Sequence, residues 1–197
     1  MATEETTTIM SRVDSDSTKY IKVGPAGLTE TNDHPTAWDE KGHTKISRIY
    51  ISYEPESITS IQFQYVEDGN FVLSPVYIER LGGSKFRQIT LDSDNEYITG
   101  ISGCWKHAAY EDFNTLLEGE TMDISVITSL TIETNKNTFG PFGRVGPTCR
   151  EREFSFQFGP GNEFGGFYGT FHNPASWGWD NPPSNVLGSI GVYLKSG

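Results

Sequence analysis

Cys104 and His107 stand three residues apart beside Trp105, and a thiol next to a base is one ingredient of nucleophilic catalysis. No third residue to orient the imidazole is evident, and a buried structural thiol is the commoner use of an isolated cysteine. His34, His43, His107 and His172 share no ligand-type spacing, so neither a metal nor another cofactor is expected. A different chemistry is carried by Ser176-Trp177-Gly178-Trp179-Asp180. The indoles of Trp177 and Trp179 offer flat apolar faces to a sugar ring or an aromatic small molecule, with N–H groups for a hydroxyl. Asp180 supplies a carboxylate that accepts hydrogen bonds from hydroxyls. The competing role of this segment is to pack its own long loop, with Asp180 a solvated turn residue ahead of Pro182-Pro183.

The elements that must hold these groups read as strands. Ile49, Ile51 and Tyr53 alternate with polar residues, as do Ile61, Phe63 and Tyr65 with Gln62 and Gln64. The same period of two selects Ile124, Val126, Leu130 and Ile132 as one face, then Phe154, Phe156 and Phe158, then Ile190, Val192 and Leu194. Weaker strands are expected at 20–23, 71–76, 86–91, 97–102 and 164–171, which together make an all-β fold. Residues 108–117, with Tyr110, Phe113 and Leu117 at helical spacing, predict a loop insert with one short helix.

The totals narrow the class of protein. In 197 residues there are 21 glycines, 10 prolines, 12 Phe, 9 Tyr and 4 Trp, a composition suited to many short strands joined by turns. The formal charge of −11 repels phosphate backbones and anionic lipid heads, so neither nucleic acid nor a membrane surface is expected as partner. Residues 1–18 read as a flexible acidic extension without the pattern of a signal peptide, and 19–197 as one domain. Two cysteines and no Asn-x-Ser/Thr acceptor suggest no disulfide framework and a cytosolic or nucleocytoplasmic setting.

Several strings, in order, resemble the jacalin-related lectin domain. They begin with Val23-Gly24-Pro25, Trp38-Asp39-Glu40 and the Ser-Ile-Gln-Phe-Gln-Tyr core within 58–65. They continue through Ile89-Thr90-Leu91-Asp92, residues 96–103, residues 129–136 and Phe139-Gly140-Pro141-Phe142-Gly143, and end with Gly166-Phe167-Tyr168-Gly169 and Ile190-Gly191-Val192-Tyr193-Leu194. The resemblance implies a plant protein with a β-prism I fold of three four-stranded Greek-key sheets. It also implies a sugar held at one end by three loops, self-association as homodimers or tetramers, and a stress or defence setting.

Those three loops depart from the family pattern. The first keeps Gly27 but has Leu28 at a usual glycine and extra residues that include Asp33 and His34. The middle loop is enlarged between Cys104 and Asp123, adding Trp105, His107, Tyr110, Glu111 and Phe113. In the last, the mannose-type Gly-x-x-x-Asp motif is degraded, with Ser184 at the glycine and Gly188 at the aspartate. The leading expectation is a noncatalytic carbohydrate-binding protein of altered specificity, contacting ligand through Gly27, Asp33, Trp105, Tyr110, Trp177, Trp179 and Asp180. The enzymatic alternative closes the enlarged loops over an aromatic small molecule, with His34, His107, His172 or Asp180 moving protons. A third reading is a protein-interaction module. The acidic residues Glu118, Glu120 and Asp123 are assigned only solvation.

Overall fold

Alternating apolar and polar residues form twelve strands and, among the described residues, no helix. The computed structural model describes residues 19–28, 31, 35–77, 83–111, 121–144, 152–158, 162–173 and 185–196, with 109–111, 121, 122, 162 and 196 by backbone alone. The expected extension at 1–18 lies outside them. In chain order the strands are β1 (Lys19–Ala26), β2 (Thr36–Asp39), β3 (Ile46–Glu54), β4 (Ser57–Glu67), β5 (Asn70–Leu73) and β6 (Lys85–Thr90). The second half contributes β7 (Ile98–Glu111), β8 (Thr121–Thr134), β9 (Thr138–Gly143), β10 (Arg152–Gln157), β11 (Asn162–His172) and β12 (Val186–Ser196).

They pair antiparallel into three four-stranded sheets, ordered β1-β12-β11-β2, β10-β7-β8-β9 and β5-β4-β3-β6. Sheet one is thus built from both ends of the chain, which sets the end of β1 beside the start of β12. Each sheet turns its apolar face to a common core. Ile49 opposes Phe63 and Ile51 opposes Ile61, all four buried, each contributing about 1.5–3 kcal/mol relative to an exposed side chain. Phe63 of sheet three stacks on Phe167 of sheet one at 5.0 Å, and Tyr53 meets Phe142 of sheet two at 5.8 Å. The central strands β12, β8 and β4 touch one another along the axis.

The alternation fails informatively in β8. Cys104 opposes Ser129 and Trp105 opposes Ile127, so Thr128 is an extra residue, a β-bulge that reverses the phase of the strand. Leu130, Ile132 and Ile127 therefore join the main core, while Ile124 and Val126 form a separate cluster with Ala108 and Val186. The single face expected for Ile124, Val126, Leu130 and Ile132 is corrected to two. The helix expected within 108–117 is also corrected over its first turn. Residues 108–111 continue β7, with Tyr110 opposite Met122, because cross-strand pairing supplies the backbone bonds that a short isolated helix would have to make alone.

Two buried carboxylates tie turns to sheets. Glu40, after β2, accepts hydrogen bonds from the Tyr65 hydroxyl at 2.9 Å and from Tyr77, and its backbone N–H donates to Phe167 O at 2.8 Å. Glu96, just before β7, accepts from Thr134 Oγ1 at 2.7 Å, Asn137 Nδ2 at 3.0 Å and the Asp92 N–H at 3.2 Å. Burial opposes the charge of Glu96, but those hydrogen bonds outweigh it and hold its carboxyl below the usual glutamate value. A lowered native pKa contributes stability above the unfolded value of about 4.3, and that contribution is lost as pH falls through the native one. Glu96→Gln should cost about 1–2 kcal/mol at neutral pH. It should also flatten the fall in thermal midpoint between neutrality and mild acid, measured by calorimetry. An unchanged acid profile would show that Glu96 is not a determinant of acid stability.

Candidate functional site

Backbone geometry brings the three hairpin ends together. Gly27, at the exit of β1, has φ +105°, a conformation that favours glycine. A Cβ there would run into the Gly188 carbonyl oxygen and lie 2.9 Å from Ser189 Cβ, so the first and last hairpin ends touch backbone to backbone. The middle hairpin is fastened to both by Ser125. This side chain is 0% exposed. Its Oγ accepts from the Leu28 N–H at 3.0 Å and donates to Gly188 O at 2.7 Å. Ser125 escaped the sequence reading because it lies between Ile124 and Val126, where simple alternation makes it a solvent-facing residue. A buried hydroxyl flanked by apolar neighbours is the signal once the Thr128 bulge is recognised.

Asp123 and Ser125 are two residues apart on β8 and therefore share a face, roughly 6.7 Å apart along the strand. Opposite them lies His107, whose Nε2 is 2.9 Å from Asp123 Oδ1; both side chains are about half exposed. This pair stands one step beyond Ser125 on the β7–β8 ladder. The assignment of Asp123 to solvation alone is replaced by this pairing.

The start of β12 is irregular. Thr170 opposes Ser189 and Phe171 opposes Leu187, so Gly188 is the extra residue of a bulge in β12, the kind of irregularity that re-aims a side chain. At 188 there is no side chain to aim. A Cβ there would meet His172 Nε2, approach its Cδ2 to 2.5 Å and lie 3.0 Å from Thr170 Oγ1. The imidazole fills the room into which a side chain at 188 would project. His172 is 1% exposed and is a packed neighbour of the last hairpin end.

The remaining expected contacts divide. Trp105 is 8% exposed and belongs to the core, with the Arg152 guanidinium 4.9 Å above its ring, which corrects its place among the ligand contacts. Trp105 lies four residues from buried Ile101 on β7, on the same strand face, and pairs with Ile127 across the ladder. Tyr110 lies on β7 opposite Met122 and is described by backbone alone. Asp33, His34, Trp177, Trp179 and Asp180 lie outside the described residues. Cys104 is disulfide-bonded, so the expectation of a free structural thiol is corrected and a Cys104–His107 nucleophile pair is ruled out. Its position, three residues from His107 along one strand, also places the two side chains on opposite faces.

The end of β1 and the ends of the β7–β8 and β11–β12 hairpins, gathered on an antiparallel three-sheet prism, make a domain of the β-prism lectin type. Residues 23–175 match the Jacalin-like lectin domain, and the chain belongs to that family. It is 36% identical over 181 residues to Jacalin-related lectin 2 of Arabidopsis thaliana, covering 89% of this chain and 86% of the relative. Among solved structures it resembles the mannose-binding lectin from champedak, with TM-score 0.62, 26% identity and coverage of 91% of this chain and 99% of that one. It also resembles artocarpin in its mannotriose complex, with TM-score 0.63, 25% identity and coverage of 90% and 98%.

Proposed function

We propose that this protein is a carbohydrate-binding lectin whose specificity differs from the mannose type, with ligand held at the junction of the three hairpin ends. The observation that carries the reading is the Ser125 bridge, which joins Leu28 and Gly188 and fixes the three ends relative to one another. A sugar needs an acceptor for adjacent hydroxyls, and a charge-assisted bond of this kind is worth about 1.5–3 kcal/mol. With glycine at 188, that acceptor is Asp123, oriented by His107. Asp180 is the second carboxylate proposed at this end, on the strength of the Trp177-Gly178-Trp179 segment it follows. Family membership and the mannose and mannotriose ligands of its structural neighbours support the carbohydrate reading.

A glycan array followed by titration calorimetry tests it with the parent, Asp123→Asn and Asp180→Ala. The parent should bind a set of glycans, and Asp123→Asn should weaken the best of them by about tenfold or more. Binding by the parent that survives in Asp123→Asn but not in Asp180→Ala transfers the acceptor role to Asp180. A parent that binds none of the glycans refutes the lectin assignment.

A further inference from the structure

A polar cleft of about 290 Å³ opens at the edge of sheet one, between the β2–β11 pair and the stretch that follows β5. Thr36 and Phe171, which oppose each other across that pair, line it from sheet one, and Val76 and Tyr77 line it from the other stretch. Tyr77 is anchored by its hydroxyl to the buried Glu40 carboxylate, and the rings of Tyr77 and Phe171 both pack against Trp38, at 5.7 and 6.2 Å. Core contacts therefore hold the aromatic surfaces of the cleft in place, which makes them preorganised. Its volume lies at the lower limit of the range of about 300–1,000 Å³ for ligand clefts and suits one or two fused rings.

His172, Asn173 and Asn185 complete the described lining. Asn185 is 5% exposed, and its side-chain amide has no hydrogen-bond partner among the described residues. Trp38 is also buried, and its Nε1–H is likewise unpartnered. A buried polar group left unpaired costs about 1–3 kcal/mol. Two of them, one in the lining and one against its rings, call for a partner from outside the chain.

Among the described residues no charged side chain lines the cleft, although the chain carries a formal charge of −11. An ionic ligand would find no counter-charge there. A saccharide would lack the carboxylate acceptor for adjacent hydroxyls, because Glu40 is taken up by Tyr65 and Tyr77. The lining offers ring faces for stacking and amides that donate and accept side by side. Such an amide pairs with a ring nitrogen next to an amino group, the pattern by which asparagine reads adenine.

We propose that this cleft binds a small, uncharged heteroaromatic molecule of the purine-base type, held against the Tyr77 and Phe171 rings and gripped at its edge by Asn185. The site is separate from the sugar junction, and His172 borders both, since its imidazole also fills the room beside Gly188.

Titration calorimetry and NMR on the full chain test it, with adenine as the probe and indole and methyl α-mannoside as controls. Adenine should bind with a dissociation constant below about 1 mM and shift the indole N–H signal of Trp38. Indole, which has the rings without the paired acceptor and donor, should bind at least tenfold more weakly, and methyl α-mannoside should leave the Trp38 signal in place. Asn185→Leu, which keeps the bulk and removes the amide, should weaken adenine about tenfold or more. Thr36→Trp fills the cleft from an exposed position on an edge strand without touching its buried groups. It should abolish adenine binding and leave the glycan profile of the parent unchanged. Failure of the parent to bind adenine, equal affinity for indole, or adenine binding that survives both substitutions overturns the proposal. Methyl α-mannoside that displaces adenine and moves the Trp38 signal overturns it too, by making the cleft part of the sugar site.

Discussion

Gly188→Asp is expected to destabilise the protein by about 2–4 kcal/mol and to create no mannose binding. The space that a Cβ would enter is held by the His172 imidazole and Thr170 Oγ1. His172 pairs with Val186 across the β11–β12 ladder and is almost fully buried, so its ring must move before a side chain at 188 can fit. Overpacking of a closed site costs about 1–3 kcal/mol, and burying a carboxylate among fixed neighbours adds to it. Combining Gly188→Asp with His172→Ala removes the obstruction and should recover at least half of the lost stability. The double variant also gives the aspartate room at the bulge, so binding of methyl α-mannoside should appear there and not in either single variant. Urea unfolding and calorimetry provide the two readouts. A Gly188→Asp protein as stable as its parent would show that His172 does not hold the space at 188.

A comparable loss is expected at Glu40. Glu40→Leu strands the Tyr65 and Tyr77 hydroxyls that the carboxylate now receives, one of them fully inside the core. An unsatisfied buried polar group costs about 1–3 kcal/mol, so the total should be about 3 kcal/mol. The thermal midpoint should fall by roughly 6–12 °C for a domain of this size. Glu40→Gln, which keeps an acceptor, should cost less than half as much. Burial first, and then the Glu40 carboxylate, push both tyrosine hydroxyls well above the ordinary tyrosine value. The native state therefore keeps these protons above pH about 10, where the unfolded chain releases them. Stability should be fully present below that pH and decline as pH rises beyond it. Absorbance titration of tyrosine ionisation, run beside unfolding curves, checks the sign: two tyrosines that ionise normally in the folded protein would contradict the network.

How far the sequence could be read depends on the range of the interaction that decides each feature. Strands β3, β4 and β12 announce themselves because burial of one sheet face is a local, period-two constraint. The same rule failed in β8, where the Thr128 bulge is imposed by the pairing partner and not by the residues beside it. Once phase is lost, Ser125 cannot be told from a solvated serine, and Asp123 looks like a charge with only solvent to face. The disulfide at Cys104 and the burial of His172 were invisible for the same reason, since each depends on a segment distant in the chain.

By itself, then, the sequence determined that the chain is all-β, with strands that bury one face, while the three-sheet prism entered only as what the resemblance to the jacalin-related lectin domain implies. The strands follow from side-chain type and alternation, which act over a few residues. Tertiary structure alone decided that Ser125 would fasten three hairpin ends together, that His172 would take the room beside Gly188, and that a polar cleft would open next to them. Those outcomes depend on sheet one being assembled from strands at opposite ends of the chain. Proximity of that kind is set by the register of β1 and β11 on β12, and no local pattern encodes it.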